Sequence, residues 1–405
     1  MRMQPGRPTL TLALLFMVGL LGEVDYQIIP PLLPLLAKDF QVSPGVAGRV
    51  VPVYSLASAI FSLLFGYLSD QYGRKRFILL GLVCFAAAAL FCQSAGSMEA
   101  FFLARFFSGV STGASVTSAT SYAADFFDYQ RRGRAMGILS SAYFAAAILG
   151  IPLATSMAAM WGWRPIFLIV SAIALFGAAL VWRVMGSDTR LESPGTDRRD
   201  KLSLVRLKRA LTVYLKRPDT RAILLASMLS SGAIVGFITF LSSHLTAERQ
   251  VSVRQVGLIF LLCGLASLVG APLSGILSDK WAKKPVLVLS GIALSSCLFI
   301  IPRLDWNVWL FIMLGLAGLS IAFRMAPLLA ITTELVHPGE RGTLIALRNT
   351  LSQLGIAACA LVASYCYLAA GYKLVGIFAS SLVVISTFLI LWFVSEPESF
   401  IRTNT

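Results

Sequence analysis

Hydrophobic residues run along most of this chain in unbroken stretches of a helix's length, and polar residues come in short clusters between them. The stretches do not alternate with a period of two, which argues against a transmembrane β-barrel. Each is long enough for the roughly 20 residues that a helix needs to cross a bilayer. The pattern predicts twelve spanning helices, over 9–37, 45–69, 77–95, 98–127, 133–160, 165–186, 221–245, 253–279, 285–302, 306–336, 341–369 and 371–394. The first follows Arg2 and Arg7, as a cleaved leader would, but continues through "EVDYQIIPPLLPLLA" with no small-residue cleavage pattern, so it is expected to stay as a span.

The longest polar stretch, 187–220, divides the chain into an expected bundle of six helices over 1–186, a linker, and a second bundle over 221–405. Within the linker, "LSLVRLKRALTVYLKRP" sets Leu204, Leu207, Leu211 and Leu215 on one helical face, with Arg206, Lys208, Arg209 and Lys216 largely elsewhere. That pattern predicts a basic amphipathic helix on the inner membrane surface, the alternative being a solvated linker.

Composition agrees with a membrane protein: of 405 residues 57% are hydrophobic and 13% charged, and mean hydropathy is +0.79. A net charge of +15 would suit a nucleic-acid partner, but the placement of the charges points elsewhere. Of the 34 Lys and Arg, seven (Lys38, Arg49, Arg164, Arg249, Arg254, Arg303, Lys373) fall in connections on one side, and Arg105, Arg324 and Arg348 fall within helices. The other 24 lie on the side of the N terminus. By the positive-inside rule both termini are cytoplasmic, and the basic surplus meets anionic lipid, not nucleic acid. The six cysteines all lie in apolar runs without a CxxC pair and read as small hydrophobes.

The chain also repeats itself. "GYLSDQYGRKR" from Gly66 returns as "GILSDKWAKKP" from Gly275, an offset of 209 residues. The same offset relates Asp70 to Asp279, Asp125 to Glu334, Arg131 to Glu340 and Gly162 to Gly371. One offset held through four connections without a gap marks two parallel copies of a six-helix unit.

On these residues the chain resembles the major facilitator superfamily of secondary transporters, in the loop "GxLSDxxGRKR", its echo and the 6+6 arrangement. "RFFSGVSTG", "GIP" and "WGWRPIF" further resemble its twelve-helix drug:proton antiporter branch, although Ile151 separates Gly150 from Pro152 where that branch has closer to a Gly-Pro pair. The resemblance implies an all-α integral membrane fold of two pseudo-symmetric six-helix bundles, working by alternating access. It also implies a cytoplasmic gate at Gly66, Asp70, Gly73, Arg74 and Asp125, echoed at Gly275, Asp279, Lys283, Lys284 and Glu334. The residue types fit that role: glycine for a tight reversal, Asp70 near a positive helix terminus, Arg74 within reach of an acid such as Asp125.

Ionisable residues at bilayer depth are costly enough that function is their default explanation. Glu23 and Asp25 in the first helix point about 200° apart at 100° per residue. Glu23 shares its face with Gly19, Tyr26, Gln27 and Pro30, a polar lining suited to substrate; Asp25 shares an apolar face suited to a proton carrier. Gly22 and the prolines at 30, 31 and 34 offer a bend that would merge the two roles. Arg105 heads a stripe with Ser108, Thr112 and Ser115, with Gly109 and Gly113 beside it for close helix approach. It is expected to pair with Glu23 or Asp25, or else to snorkel to the headgroups. Arg324 is expected to meet substrate or a carbonyl-rich partner, and Arg348 substrate or the inner headgroups. Three arginines against two acids suit an anionic or zwitterionic cargo as well as a lipophilic cation.

The chain has no HExxH, GxSxG or P-loop motif, and His244 and His337 lie apart at helix ends, so an enzyme, an ATP-driven pump and a metal site are not expected. The expected partners are a small-molecule substrate, protons and membrane lipids, with a proton gradient and no cofactor as the driving force. The expected protein is a monomer in a bacterial cytoplasmic membrane.

Overall fold

The computed structural model describes residues 8–127, 129–186, 214, 216–336 and 341–394, and among these there are helices and turns but no strands. Contacts divide the described residues into two compact units, the first within Met1–Ser43 and Arg49–Arg198, the second within Pro44–Gly48 and Arg199–Thr405. The amphipathic helix expected around Leu204 lies outside the described residues, apart from Tyr214 and Lys216.

The first unit holds α1 (Pro8–Gln27), α2 (Ile29–Asp39), α4 (Val50–Tyr72), α5 (Arg74–Ser94), α6 (Met98–Phe126), α7 (Tyr129–Ser140), α8 (Ala142–Ala145), α9 (Ile151–Trp161) and α10 (Arg164–Val184); the short α3 (Pro44–Ala47) belongs to the second. The second continues with α11 (Pro218–Arg249), α12 (Val253–Trp281), α13 (Lys283–Ile300), α14 (Val308–Glu334) and α15 (Arg341–Phe393). Among the described residues, ten helical stretches are long and apolar enough to cross a membrane. The chain is therefore an integral, multi-pass membrane protein.

Three expected spans are interrupted, the one predicted over 45–69 by a turn at Gly48 and Arg49 between α3 and α4. The span predicted over 9–37 breaks at Ile28 between α1 and α2. Pro30 and Pro31 lack the N–H groups that would bond the carbonyls of Tyr26 and Gln27, so two helical bonds are missing there, although Ile28 keeps right-handed helical dihedrals and its N–H bonds the Val24 carbonyl at 3.0 Å. The span predicted over 133–160 is split into α7, α8, a π-helical turn at Ala146–Gly150, and α9. Pro152 lies just past that turn, where it too removes a helical donor. The predicted boundary near 370 is a kink inside α15, at Ala370 and Gly371.

Small residues set the packing, as expected where lipid removes most of the hydrophobic drive between helices. A Cβ on Gly109 of α6 would stand 2.4 Å from the carbonyl oxygen of Tyr54 in α4, and one on Gly113 2.9 Å from the amide of Ser62. In the second unit a Cβ on Gly355 would lie 2.3 Å from the Met228 carbonyl, so α11 and α15 meet backbone to backbone.

The internal repeat reappears in the backbone. Among the described residues, positive φ occurs at Gln41, Gly73, Gly162, Gln250, Ala282 and Gly371. These form three pairs 209 residues apart: Gln41 with Gln250 (both 55°), Gly73 (102°) with Ala282 (96°), and Gly162 (81°) with Gly371 (69°).

Candidate functional site

The first unit brings its intramembrane charges together. Arg105 of α6 is 1% exposed and Asp25 of α1 0%. Nη1 of Arg105 donates to both Oδ1 and Oδ2 of Asp25 at 2.7 Å, and Nη2 donates to the Asp25 carbonyl at 3.4 Å. The choice between Glu23 and Asp25 thus falls to Asp25, and Arg105 does not snorkel. Gly22 allows the approach, since a Cβ there would meet Thr112 Cγ2 at 3.1 Å and Val116 Cγ2 at 3.0 Å.

Tyr54, which the sequence did not single out, completes the pair: its ring lies 4.6 Å from the Arg105 guanidinium carbon and stacks on Tyr26 at 5.4 Å. A cation over an aromatic face is attracted by the ring's quadrupole, so the arginine has a second partner besides the carboxylate. Around it, Arg105 Nε, Ser108 Oγ, Thr112 Oγ1, Ser55 Oγ and Tyr26 Oη are buried with no hydrogen bond of good geometry, Tyr26 having Ser55 and Thr112 having Tyr54 as loose polar neighbours. Such a concentration of unspent polar atoms is unusual for a purely structural core.

Glu23 points elsewhere, as the helical spacing requires. It is half-buried and accepts from Gln27 Nε2 at 3.0 Å, and the same nitrogen donates to the Tyr143 carbonyl at 3.2 Å. The π-helical turn follows closely in sequence, and a Cβ on its Gly150 would stand 2.8 Å from Val24 Cγ2, so the irregular part of this span lies against α1.

In the second unit Arg324, 1% exposed, meets no acid among the described residues. Its Nε donates to Ser230 Oγ at 2.9 Å, Nη2 to Ser386 Oγ at 2.6 Å, and Nη1 to Thr387 Oγ1 at 3.4 Å and the Leu287 carbonyl at 3.3 Å. Arg348 is half-buried, with Nε donating to Ser227 Oγ at 3.0 Å. Ser227, Ser230, Ser386 and Thr387 were not singled out, because serine and threonine are common in apolar helices and carry no spacing signal of their own.

The two loop copies are also built. Arg74 bonds Asp125 at 2.7 Å and Asp70 at 2.7 Å, around the reversal at Gly73. Asp70, expected to face a helix terminus, pairs with the arginine that opens α5. Gly66 is not under pressure, since a Cβ there would sit at an ordinary 3.5 Å from Thr117 Cγ2, and one on Gly275 would meet nothing within 4 Å. In the second copy Lys283 pairs with Glu334 at 3.0 Å. Lys284 follows it in the first turn of α13, and the side chain of Asp279 lies outside the described residues.

The model of the Major Facilitator Superfamily matches residues 15–248 and 223–405. The MFS-type transporter YceJ of Bacillus subtilis (strain 168) is 26% identical over 88% of this chain and 87% of its own. The hexuronate transporter of the same organism is 23% identical over 70% and 68%, and the bicyclomycin resistance protein homolog of Haemophilus influenzae 26% over 62% and 62%. Among solved structures, the D-xylose-proton symporter shares the fold with a TM-score of 0.77 at 16% identity, covering 96% of this chain and 98% of its own. The membrane-spanning helices, the repeat and the family match lead to one conclusion: this chain belongs to the Major Facilitator Superfamily and is a transporter, not an enzyme.

Proposed function

We propose that this transporter is a proton-coupled antiporter that exports an amphiphilic compound by alternating access, with Asp25 as the proton carrier. The observation that carries the reading is the Asp25–Arg105 pair, buried and closed on itself. An ion pair inside a bilayer is tolerable only while both charges are present. A proton on Asp25 breaks the balance and leaves Arg105 to the ring of Tyr54 and the weakly engaged hydroxyls of Ser108 and Thr112 on its own helix. Those groups give the broken state somewhere to go, so protonation becomes a local switch. Glu23, with Tyr26 and Gln27, is the substrate-contacting group of the same unit.

The reading includes twelve spans with both termini cytoplasmic, in a bacterial cytoplasmic membrane. Two features support the count beyond the ten apolar stretches: α6 is 29 residues long, and α15 is divided by its kink at 370–371. The drug-resistance homolog is consistent with export, and the two loop clusters are proposed as the inner gate.

The test uses the protein in proteoliposomes with an imposed pH gradient and a lipophilic cation. Proton release on cation binding, lost in Asp25→Asn, is the expected result. Gradient-driven transport that persists in Asp25→Asn would sink the assignment. A second reading, proton-linked movement of an organic anion, draws on Arg348, which is half-buried with only its Nε held by another helix, and on the name of the hexuronate relative. It predicts uptake of a sugar acid that Arg348→Gln abolishes and Glu23→Gln spares.

A further inference from the structure

The second unit carries a cavity of about 210 Å³ that the transport site does not use. It lies among α12, α13 and α14, and its walls include Leu277, Trp281, Val286, Leu289, Ala293 and Phe323. Val286, Leu289, Ser290 and Ala293 fall at i, i+3, i+4 and i+7 and form one stripe of α13. The two serines in the wall, Ser290 and Ser320, spend their hydroxyls on the carbonyls of Leu287 and Leu316 in their own helices. The lining is therefore apolar in effect. Leu289 and Trp281 are both 58% exposed, so the groove opens sideways, on a face that in a membrane meets hydrocarbon.

One end of the groove is basic. Trp281 ends α12, and Lys280 stands beside it in that last turn, three residues after the groove-lining Leu277. Lys283 and Lys284 open α13, whose N-terminus has no side-chain cap. Lys280, Lys283 and Lys284 stand there, with Glu334 paired to Lys283, so among the described side chains the rim is basic at the level where an indole ring and ammonium groups meet headgroups.

The repeat shows that the groove is not an inevitable product of the fold. The position 209 residues before Val286 is Phe77, whose ring packs on Phe65 at 5.7 Å. At the positions equivalent to Phe65 and Phe77 the second unit has Ser274 and Val286.

We propose that this groove is a binding site for an anionic phospholipid, with an acyl chain along the α13 stripe and the phosphate at Lys280 and the start of α13. Apolar walls open to the bilayer and a basic rim at one end match the two halves of such a molecule.

The full-length protein, purified in mild detergent, is exposed to phosphatidylglycerol or phosphatidylcholine of identical chains, and retained lipid is read by native mass spectrometry. Phosphatidylglycerol is expected to be retained in preference. Lys280→Gln should lower that preference about fivefold, in line with about 1 kcal/mol per basic residue at an anionic surface, without changing phosphatidylcholine. Val286→Phe, which copies the first unit's residue, should lower retention of both lipids about tenfold at an unchanged melting temperature. Ala293→Leu fills the same stripe and serves if Val286→Phe lowers the yield. Equal retention of the two lipids by the unaltered protein, or retention indifferent to both filling variants, would overturn the proposal. So would photolabelling of Leu289 or Trp281 by a transported lipophilic cation that phosphatidylglycerol fails to compete away, since the groove would then be a lateral entry for cargo.

Discussion

Each unit buries one arginine at 1% exposure, and each satisfies it by opposite means. Arg105 has a carboxylate, both oxygens of Asp25 at 2.7 Å, and an aromatic ring behind it. Arg324 has three hydroxyls and a carbonyl. The first arrangement depends on the charge of a titratable partner and the second on groups that never ionise. A proton can therefore change the first and has no handle on the second. This is why the coupling role is assigned to the first unit, and why Arg324 is better described as a fixed brace between α11, α14 and α15 than as a substrate contact.

The largest expected effect comes from breaking the charged pair on one side. Arg105→Ala leaves a carboxylate buried without its partner, and such truncations cost about 3–5 kcal/mol. Chemical denaturation in mixed micelles measures it. The double variant Asp25→Asn with Arg105→Met removes both charges and is expected to return to within about 1 kcal/mol of the unaltered protein, because buried ion pairs contribute little over apolar groups of similar size. It should still lack proton coupling. A double variant as unstable as Arg105→Ala would mean that shape, not charge balance, holds this region together.

Arg324→Met tests the other half of the comparison. It removes a charge that has no acid beside it, at the expense of four hydrogen-bond contacts, and the freed hydroxyls of Ser386 and Thr387 can fall back on carbonyls they already reach, those of Ala226 and Val383. The expected loss is about 1–3 kcal/mol, with proton coupling retained. If coupling vanished while the protein stayed folded, the brace description would be wrong and Arg324 would move to the binding site.

The sequence made some of this legible and hid the rest for identifiable reasons. The helix break at Ile28 follows from three prolines within five residues, a local matter. The Arg74–Asp125 contact follows from a motif whose residue types already complement each other. Asp25 or Glu23 as the partner of Arg105 is different, because the pairing spans 80 residues and depends on how Gly22 seats α1 against α6. Tyr54 and the hydroxyls around Arg324 were missed because a serine or tyrosine in an apolar helix is ordinary until an arginine is placed beside it. Ala282 was legible and went unread: its repeat partner is Gly73, and the same reversal demands the same positive φ.

That reversal gives a smaller contrast between the units. Gly73 adopts φ 102° and ψ 131°, Ala282 φ 96° and ψ 152°. Glycine reaches this region freely, whereas a residue with a Cβ pays about 1–3 kcal/mol. Ala282→Gly should therefore stabilise the second unit by about 1 kcal/mol after the greater chain entropy of glycine is subtracted, and Gly73→Ala should destabilise the first by about as much. Melting temperatures that moved the same way in both variants would show that the two loops do not share a strained backbone.

The smallest effect expected separates the two ion clusters. Arg74 bonds two acids with separate nitrogens, Nε to Asp125 and Nη2 to Asp70, whereas Lys283 offers a single ammonium to Glu334. The acids are partly open to solvent, at 41%, 40% and 28% of their side-chain surface, so each contact falls in the range of about 0.2–1 kcal/mol measured for such pairs. Stability alone will barely distinguish Arg74→Ala from Lys283→Ala. Transport should, because a fork that joins the end of α4 to the end of α6 fixes their relative position and a flexible lysine fixes less. Arg74→Lys keeps the charge and loses the fork, so a transport rate in Arg74→Lys nearer to Arg74→Ala than to the unaltered protein would assign the difference to geometry. A rate indistinguishable from the unaltered protein would reduce the first loop to the same point-charge contact as the second.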